Sequence, residues 1–454
     1  MKKAISLMMA AAMAASSMGA AVPALASDDV TTITYWTNDR HDAEYMQKMI
    51  DEYNESNTDN IQIEMTTITD EYENQISLAY QGGTAPDIVG AVTLKNFVDD
   101  SGMLIPLNDY IDADETYQKV NEPYEHAYEG LNAETDADGN TSIYWVYSGM
   151  RSGVRVEYNK NLLEENGYTE VPTKLSDYID MAKAITEAGN GAYYGIGFTS
   201  SSPFERLLEM VAQVSGIYYY DYVNGKFDFS GYKEVLEEGK RFIDENIAYP
   251  DQQQVDNMRA LFAAGQFALW SNASQEAGVF TDQIPIEDFE WGVAPVPSMD
   301  GEIKGALQTT PSKGYAIMSS SENKDAAWKV IQYFQSEDFL KGYLEGGFCL
   351  PISSYMQDKV DLSKAGRLAD FAPLDYEDVY PTVPSVNLVG DDYRTVLWNA
   401  VMGYVSVDDA IDDLNTRYND AYESDIASGS VKRLVIEDYD PLHPSAGTVT
   451  YQDK

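Results

Sequence analysis

Tyr72-Glu73-Asn74-Gln75-Ile76-Ser77-Leu78-Ala79-Tyr80-Gln81-Gly82-Gly83-Thr84-Ala85-Pro86-Asp87-Ile88-Val89 decides how the rest of the chain is read. Apolar residues at 72, 76, 79 and 80 share one face of a helix, Gly82-Gly83 stop it, and Pro86 forbids its return before a short buried strand opens at Ile88. Helix, glycine stop and strand make half of an α/β unit. Upstream, Thr32-Ile33-Thr34-Tyr35-Trp36 reads as a first strand, and Asn38 or Asp39 is placed to cap a helix with Tyr45, Met46, Met49, Ile50 and Tyr53 on one side. Ile61-Gln62-Ile63-Glu64-Met65 alternates as a second strand. The order βαβα predicts a right-handed, doubly wound sheet.

Working outward, weaker motifs follow in a fixed order. The loop Gly102-Met103-Leu104-Ile105-Pro106-Leu107-Asn108-Asp109-Tyr110-Ile111 comes after the Pro-Asp strand. Next come Tyr158-Asn159-Lys160, then Gly167-Tyr168 with Val171-Pro172-Thr173, and Phe262 with Gly265, where the glycine should end a helix in a left-handed turn. Trp291-Gly292-Val293-Ala294-Pro295-Val296-Pro297 reads as a strand stiffened by proline, and Ala326-Ala327-Trp328 with Phe334 and Ser336 marks an amphipathic helix. Ser406 with Asp409 forms a capping box for a helix whose buried side is Ala410, Ile411, Leu414 and Tyr418.

From about 32 to 422 this ordered set resembles family 1 of the extracellular solute-binding proteins, the sugar-binding, maltose-binding-protein-like components of ABC importers. One departure is Lys174-Leu175, where the family usually has Trp after its Pro-Thr pair. The resemblance implies an α/β, two-lobed periplasmic-binding-protein fold, each lobe a doubly wound sheet flanked by helices, with three hinge crossings. It divides the chain into a signal peptide (1–26), lobe 1 (27–143), lobe 2 (144–293), a return to lobe 1 (294–346) and a return to lobe 2 with C-terminal helices (347–454).

Bulk properties are compatible with that reading. Lys2-Lys3, an Ala- and Met-rich apolar run and Ala24-Leu25-Ala26 form a secretory leader cleaved near Ala26. No later stretch approaches the 18 or so apolar residues of a spanning helix. A formal charge of −45 argues against nucleic acid and anionic lipid surfaces, both of which need concentrated Lys and Arg. Cys349 is the single cysteine, so neither a disulfide nor a lipid-anchoring Cys after the cleavage site is available; Ser27 and Asp28 occupy that region. An exported, periplasmic or secreted monomer without membrane insertion is expected. Asp136-Ala137-Asp138-Gly139-Asn140 fails as a calcium loop, with Thr141 where Gly is needed and Tyr147 where a bidentate Glu is needed, and is read as a turn. No cofactor or metal is called for.

In open α/β sheets small ligands bind beyond the carboxyl ends of the strands. Sugars present apolar ring faces edged by hydroxyls, so a site for them needs aromatic plates and polar forks. With 34 Tyr, 14 Phe and 6 Trp, position must choose among the plates. The candidates are Trp36 with Asn38, Asp39 and Arg40 after the first strand; Trp145 and Tyr147 on one face of the first crossing, with Arg151 beyond; Trp270 with Asn272 in the second lobe; and Arg394 opening a helix. Core packing is the competing reading for Trp145, Tyr147 and Trp270, and a solvated helix face for Arg394. On the cleft reading, Trp270→Ala weakens binding without unfolding the protein. Asp87, Cys349 and the scattered His41, His126 and His443 are read as structural or surface groups.

The resemblance implies a non-enzymatic protein that captures a sugar or oligosaccharide between its lobes, closes by a hinge and delivers it to an ABC transporter permease. A non-carbohydrate, for example cationic, solute is the alternative; its site would show carboxylates around Trp36 and Trp270 and no Arg. A secreted glycoside hydrolase needs a marked carboxylate pair, and none stands out among 75 acidic residues.

Overall fold

The computed structural model describes residues 30–91, 102–121, 132–135 and 141–452. The leader 1–26, Ser27 and Asp28, His126 and the turn 136–140 lie outside the described residues.

Along the chain the elements that position the cleft are β1 (Thr31–Thr37), α1 (Ala43–Ser56), β2 (Ile61–Thr67), α2 (Tyr72–Gly82), β3 (Ile88–Ala91), β4 (Val146–Arg151) and β5 (Arg155–Asn159). They continue with α3 (Leu175–Gly189), β6 (Tyr194–Ile196), α4 (Val255–Ala263), β7 (Phe267–Asn272), β8 (Trp291–Pro295) and β9 (Thr310–Ile317). Helices α5 (Lys324–Phe334), α6 (Glu337–Glu345), α7 (Tyr393–Val401) and α8 (Val407–Ser428) complete the set.

Two sheets result. The first has the order β2-β1-β3-β9-β4, with β1, β2 and β3 parallel and β9 antiparallel to both neighbours. The second has the order β8-β5-β7-β6 and is mixed, parallel only between β6 and β7. The deciding stretch folds as its residues dictate. Tyr72 and Ile76 bury one side of α2, and Gly83 closes it in the left-handed region at φ 69°, its N–H bonding to Ala79 and Tyr80 carbonyls. Asp87 then pins β1 to β3: its Oδ2 accepts the backbone N–H and the hydroxyl of Thr34, both at 2.9 Å, and its Oδ1 accepts Ser321 Oγ at 2.6 Å.

Sheet membership moves the expected lobe boundaries. β4 hydrogen-bonds along β9 in the first sheet, so the chain leaves that sheet after Arg151 and not at 144. Leu350 bridges Met150 at the same edge, which keeps 346–351 with the first sheet and defers the third crossing to the segment around 372–379. The crossings meet in one plate. Leu307–Gln308 pairs in parallel with Glu377–Asp378, Thr309 Oγ1 donates to the Arg151 carbonyl at 2.6 Å, and Arg155 Nη1 lies 2.8 Å from Glu377 Oε1 with both side chains 2% exposed.

Each sheet has its own apolar core. Ile33, Tyr35, Ile88 and Tyr315 pack under α5 and α6 in one; Tyr178, Ile196, Leu269 and residues of α7 and α8 pack in the other. A third cluster contains side chains from both sheets, among them Val89 and Ala316 with Phe267, Trp270 and Trp291, joined by Met150, Leu350 and Leu368.

Candidate ligand-binding cleft

A cavity of about 760 Å³ opens between the two sheets, within the range of small-molecule sites. One wall is the loop Asn38-Asp39-Arg40-His41 after β1, with Met150 and Arg151 at the end of β4, Ser312 of β9 and the turn Gly346-Gly347-Phe348-Cys349. The facing wall is Asp256 and Arg259 of α4 and the segment 274–283 after β7.

Local chemistry builds each wall. Asp39 does not cap α1, and neither does Asn38: Asp39 Oδ1 accepts the His41 N–H at 3.0 Å, and the residue at the cap position, Asp42, makes no side-chain cap bond. Asp42 is turned inward instead, where Lys313 Nζ meets its Oδ2 at 2.6 Å and Tyr343 OH donates to the same oxygen at 2.7 Å. Lys313 holds the left-handed backbone at φ 57°, uncommon for a residue with a Cβ, and interrupts the β9 ladder between Ser312 and Gly314. Its ammonium is 1% exposed and also reaches Asp39 Oδ2 at 3.9 Å. Burial works against that charge, but Tyr35, Asp42 and Asp39 outweigh it and hold its pKa above the ordinary lysine value. The cleft-facing Asp39 thus rests on a buried ion pair.

On the facing wall, Arg259 bonds Glu276 at 2.6 Å and Asp256 at 2.8 Å. Asn272 Oδ1 accepts from Arg206 Nη1 at 2.8 Å and from Gln275 Nε2 at 2.7 Å, while its Nδ2 donates to Glu276 at 2.6 Å. Behind this network Glu157 of β5 is fully buried with both carboxylate oxygens unpartnered. Burial, then repulsion from Glu276, pushes its pKa well above the glutamate value. Asn38 Oδ1 and Gln275 Oε1, on opposite walls, are buried acceptors without a protein partner. Unsatisfied buried polar atoms are costly, and clusters of them at a cavity are what a hydroxyl-rich guest completes.

Of the residues singled out from sequence, Asn38, Asp39, Arg40 and Arg151 come together around this cavity. The others do not line it. Trp145 and Tyr147 are 1% and 2% exposed, the indole N–H donating to the tyrosine hydroxyl, and Trp270 is 1% exposed in the cluster shared by the two sheets. Trp145 precedes β4, Tyr147 lies within it and Trp270 lies in β7, whose residues are all buried, so these rings sit in the core. Trp36 is half-buried against the same cluster. Asn272 is buried one layer behind the wall. Arg394 is held by Glu209 at 2.6 Å and Glu205 at 3.6 Å, away from the cavity. Sequence reasoning missed His41, Met150, Arg259, Gln275, Ser312 and Phe348. The stretch at the expected 346/347 lobe boundary supplies a turn of the first wall instead, and the α4 and 274–283 contributions carry no local signal.

Comparison with known proteins fits this architecture. The profile of the bacterial extracellular solute-binding protein family matches residues 38–341, more than half of the chain. The chain belongs to that family. Its members are binding proteins. A maltotriose-binding protein from Pyrococcus abyssi is 25% identical over 269 residues, 58% of this chain and 53% of the relative, so the match spans about half of that protein's length. A protein from Brucella abortus is 24% identical over 311 residues, 64% of this chain and 71% of the relative. Among solved structures, the cyclic α-maltosyl-1,6-maltose binding protein from Arthrobacter globiformis superposes with a TM-score of 0.65 at 19% identity, covering 87% of this chain and all of that one. The sugar-binding protein MalE from Xanthomonas citri gives 0.63 at 18% identity, covering 88% and 99%. These likenesses establish the two-lobed fold. None of the described helices is long and apolar enough to cross a membrane, and among the described residues no group of His, Cys, Asp and Glu is arranged to hold a metal ion.

Proposed function

We propose that the chain is an exported solute-binding protein that captures a sugar or oligosaccharide in the cleft, closes about the crossing plate and delivers its guest to an ABC importer permease. The observation that carries the reading is the pair of unpartnered amide acceptors, Asn38 Oδ1 and Gln275 Oε1, one on each wall of a 760 Å³ cavity. A guest that donates to both holds the walls together, which gives the closed state the differential affinity that closure requires. Relatives that bind maltotriose and cyclic maltosyl-maltose support the ligand class. The cationic alternative loses ground because the cavity is lined by Arg40, Arg151 and Arg259, and because neither Trp36 nor Trp270 borders it. We read 1–26 as the leader for export, the protein as a monomer, and the function as capture without bond breaking. Calorimetry and thermal shift against a glycan panel test this: saturable binding of a saccharide is expected, and a hit only on a polyamine or phosphate ester refutes the ligand class.

A further inference from the structure

The cleft is far richer in arginine than the chain around it: Arg40, Arg151 and Arg259 line it against Asp39, Asp256 and Asp282, a balance in a strongly acidic protein. With 75 acidic residues against 30 basic ones, an arginine here rarely lacks a carboxylate neighbour. Of the ten arginines, seven form ion pairs among the described residues: Arg155, Arg241, Arg259, Arg367, Arg394, Arg417 and Arg433. The three that form none are gathered at one place. Arg40 and Arg151 line the first wall of the cavity, the former exposed and the latter half-buried. Arg206 stands behind the facing wall, its Nη1 spent on Asn272 and its Nε buried without a partner. The carboxylates nearby are mostly engaged: Asp39 carries Lys313 behind it and Asp256 pairs with Arg259, leaving exposed Asp282 at the rim.

A guanidinium gains most from a planar anion that accepts two parallel N–H bonds, and loses most when it is desolvated without one. Closing this cleft on a neutral guest would strip water from Arg40 and Arg151, neither of them ion-paired, with only the rim carboxylate of Asp282 left unengaged among those lining the cavity. We infer that the guest carries its own: an anionic saccharide, with a uronate carboxylate or a sulfate met by Arg40 and Arg151. This inference rests on the saccharide reading above and narrows it.

Calorimetry on the full chain, with trigalacturonate, a sulfated chondroitin disaccharide, maltotriose and xylotriose at low and high salt, tests it. An anionic glycan should bind at least about tenfold tighter than either neutral one, with an advantage that shrinks as salt screens the charges. Arg40→Gln and Arg151→Gln should each weaken that binding about 10- to 100-fold, as expected for a lost charge-assisted bond, and Arg40→Lys by less. The uronate and sulfate arms separate the two anionic groups. Neutral glycans binding as well as or better than both anionic ones would overturn the anionic assignment and leave saccharide capture standing. Failure of all four would overturn both. An unchanged Kd in the Arg40→Gln/Arg151→Gln double variant, with its unfolding midpoint preserved, would also overturn the assignment.

Discussion

Glu377→Gln is the sharpest perturbation of the crossing plate. Glu377 Oε1 accepts Arg155 Nη1 at 2.8 Å and the Gly153 N–H at 2.6 Å, and Oε2 accepts the Leu374 N–H at 3.2 Å. Both charged side chains are 2% exposed, so water cannot replace the lost carboxylate. A glutamine keeps the shape and one acceptor but leaves the guanidinium with the neutral carbonyls of Gly153, Val154 and Ala372. Orphaning one member of a buried ion pair costs about 3–5 kcal/mol, and because one acceptor survives the lower end, roughly 3 kcal/mol, is expected. That is more than a hundredfold in the unfolding equilibrium. Equilibrium urea unfolding should show a lower midpoint at unchanged slope. The double variant Arg155→Met/Glu377→Leu should recover most of the loss, because replacing both partners removes the uncompensated charge. A single variant within about 0.5 kcal/mol of the parent, or strictly additive changes in the cycle, would show that this pair does not hold the first and third crossings together.

Other expectations follow from buried groups. Trp270→Ala should destabilise by about 3–5 kcal/mol, the usual cost of emptying a large aromatic site; thermal unfolding checks this, and a preserved midpoint would return Trp270 to the cleft. Glu157→Gln should change the pH profile. The folded state keeps the Glu157 proton where the unfolded chain, at the ordinary value of 4.5, has released it. Folding therefore takes up a proton and stability falls as pH climbs past 4.5. The variant should gain on the parent between pH 4.5 and neutrality, and a pH-independent difference in midpoint would refute this. Lys313→Met strands the Asp42 carboxylate and should cost about 3–5 kcal/mol, with Lys313→Met/Asp42→Asn restoring much of it; chemical denaturation of both variants decides the matter.

The first sheet was legible because each of its early elements carries a local signal: the period-2 strands 31–37 and 61–67, the helical face of Tyr72 and Ile76, and Gly83 as the stop. Gly265, left-handed at φ 68°, and the Ser406 cap, whose Oγ accepts the Asp409 N–H at 3.1 Å, were legible for the same reason. The cleft was half legible. A loop leaving the carboxyl end of β1 opens beyond the strand ends, where the cavity lies, and brings Asn38, Asp39 and Arg40 to its wall. For Trp145, Tyr147 and Trp270 the sequence shows aromatics in strands but not which face is covered, and here both faces are. Lys313 carries no sequence signal at all; its role depends on Asp42 and Tyr343, distant in the chain and adjacent only after folding.

The place of β9 in the first sheet has a consequence for assembly. It is the rung between β3 and β4, yet it lies more than 150 residues beyond the later of them in the chain. Strands of the second sheet are all present by residue 295, while the first keeps two open edges until 310–317 arrive. The second body in turn waits for α7 and α8 to cover its apolar side. Neither half is one continuous stretch of chain: a nascent chain truncated before about residue 428 carries a gap or a bare face somewhere, and docking of these late, long-range pieces should set the pace of folding.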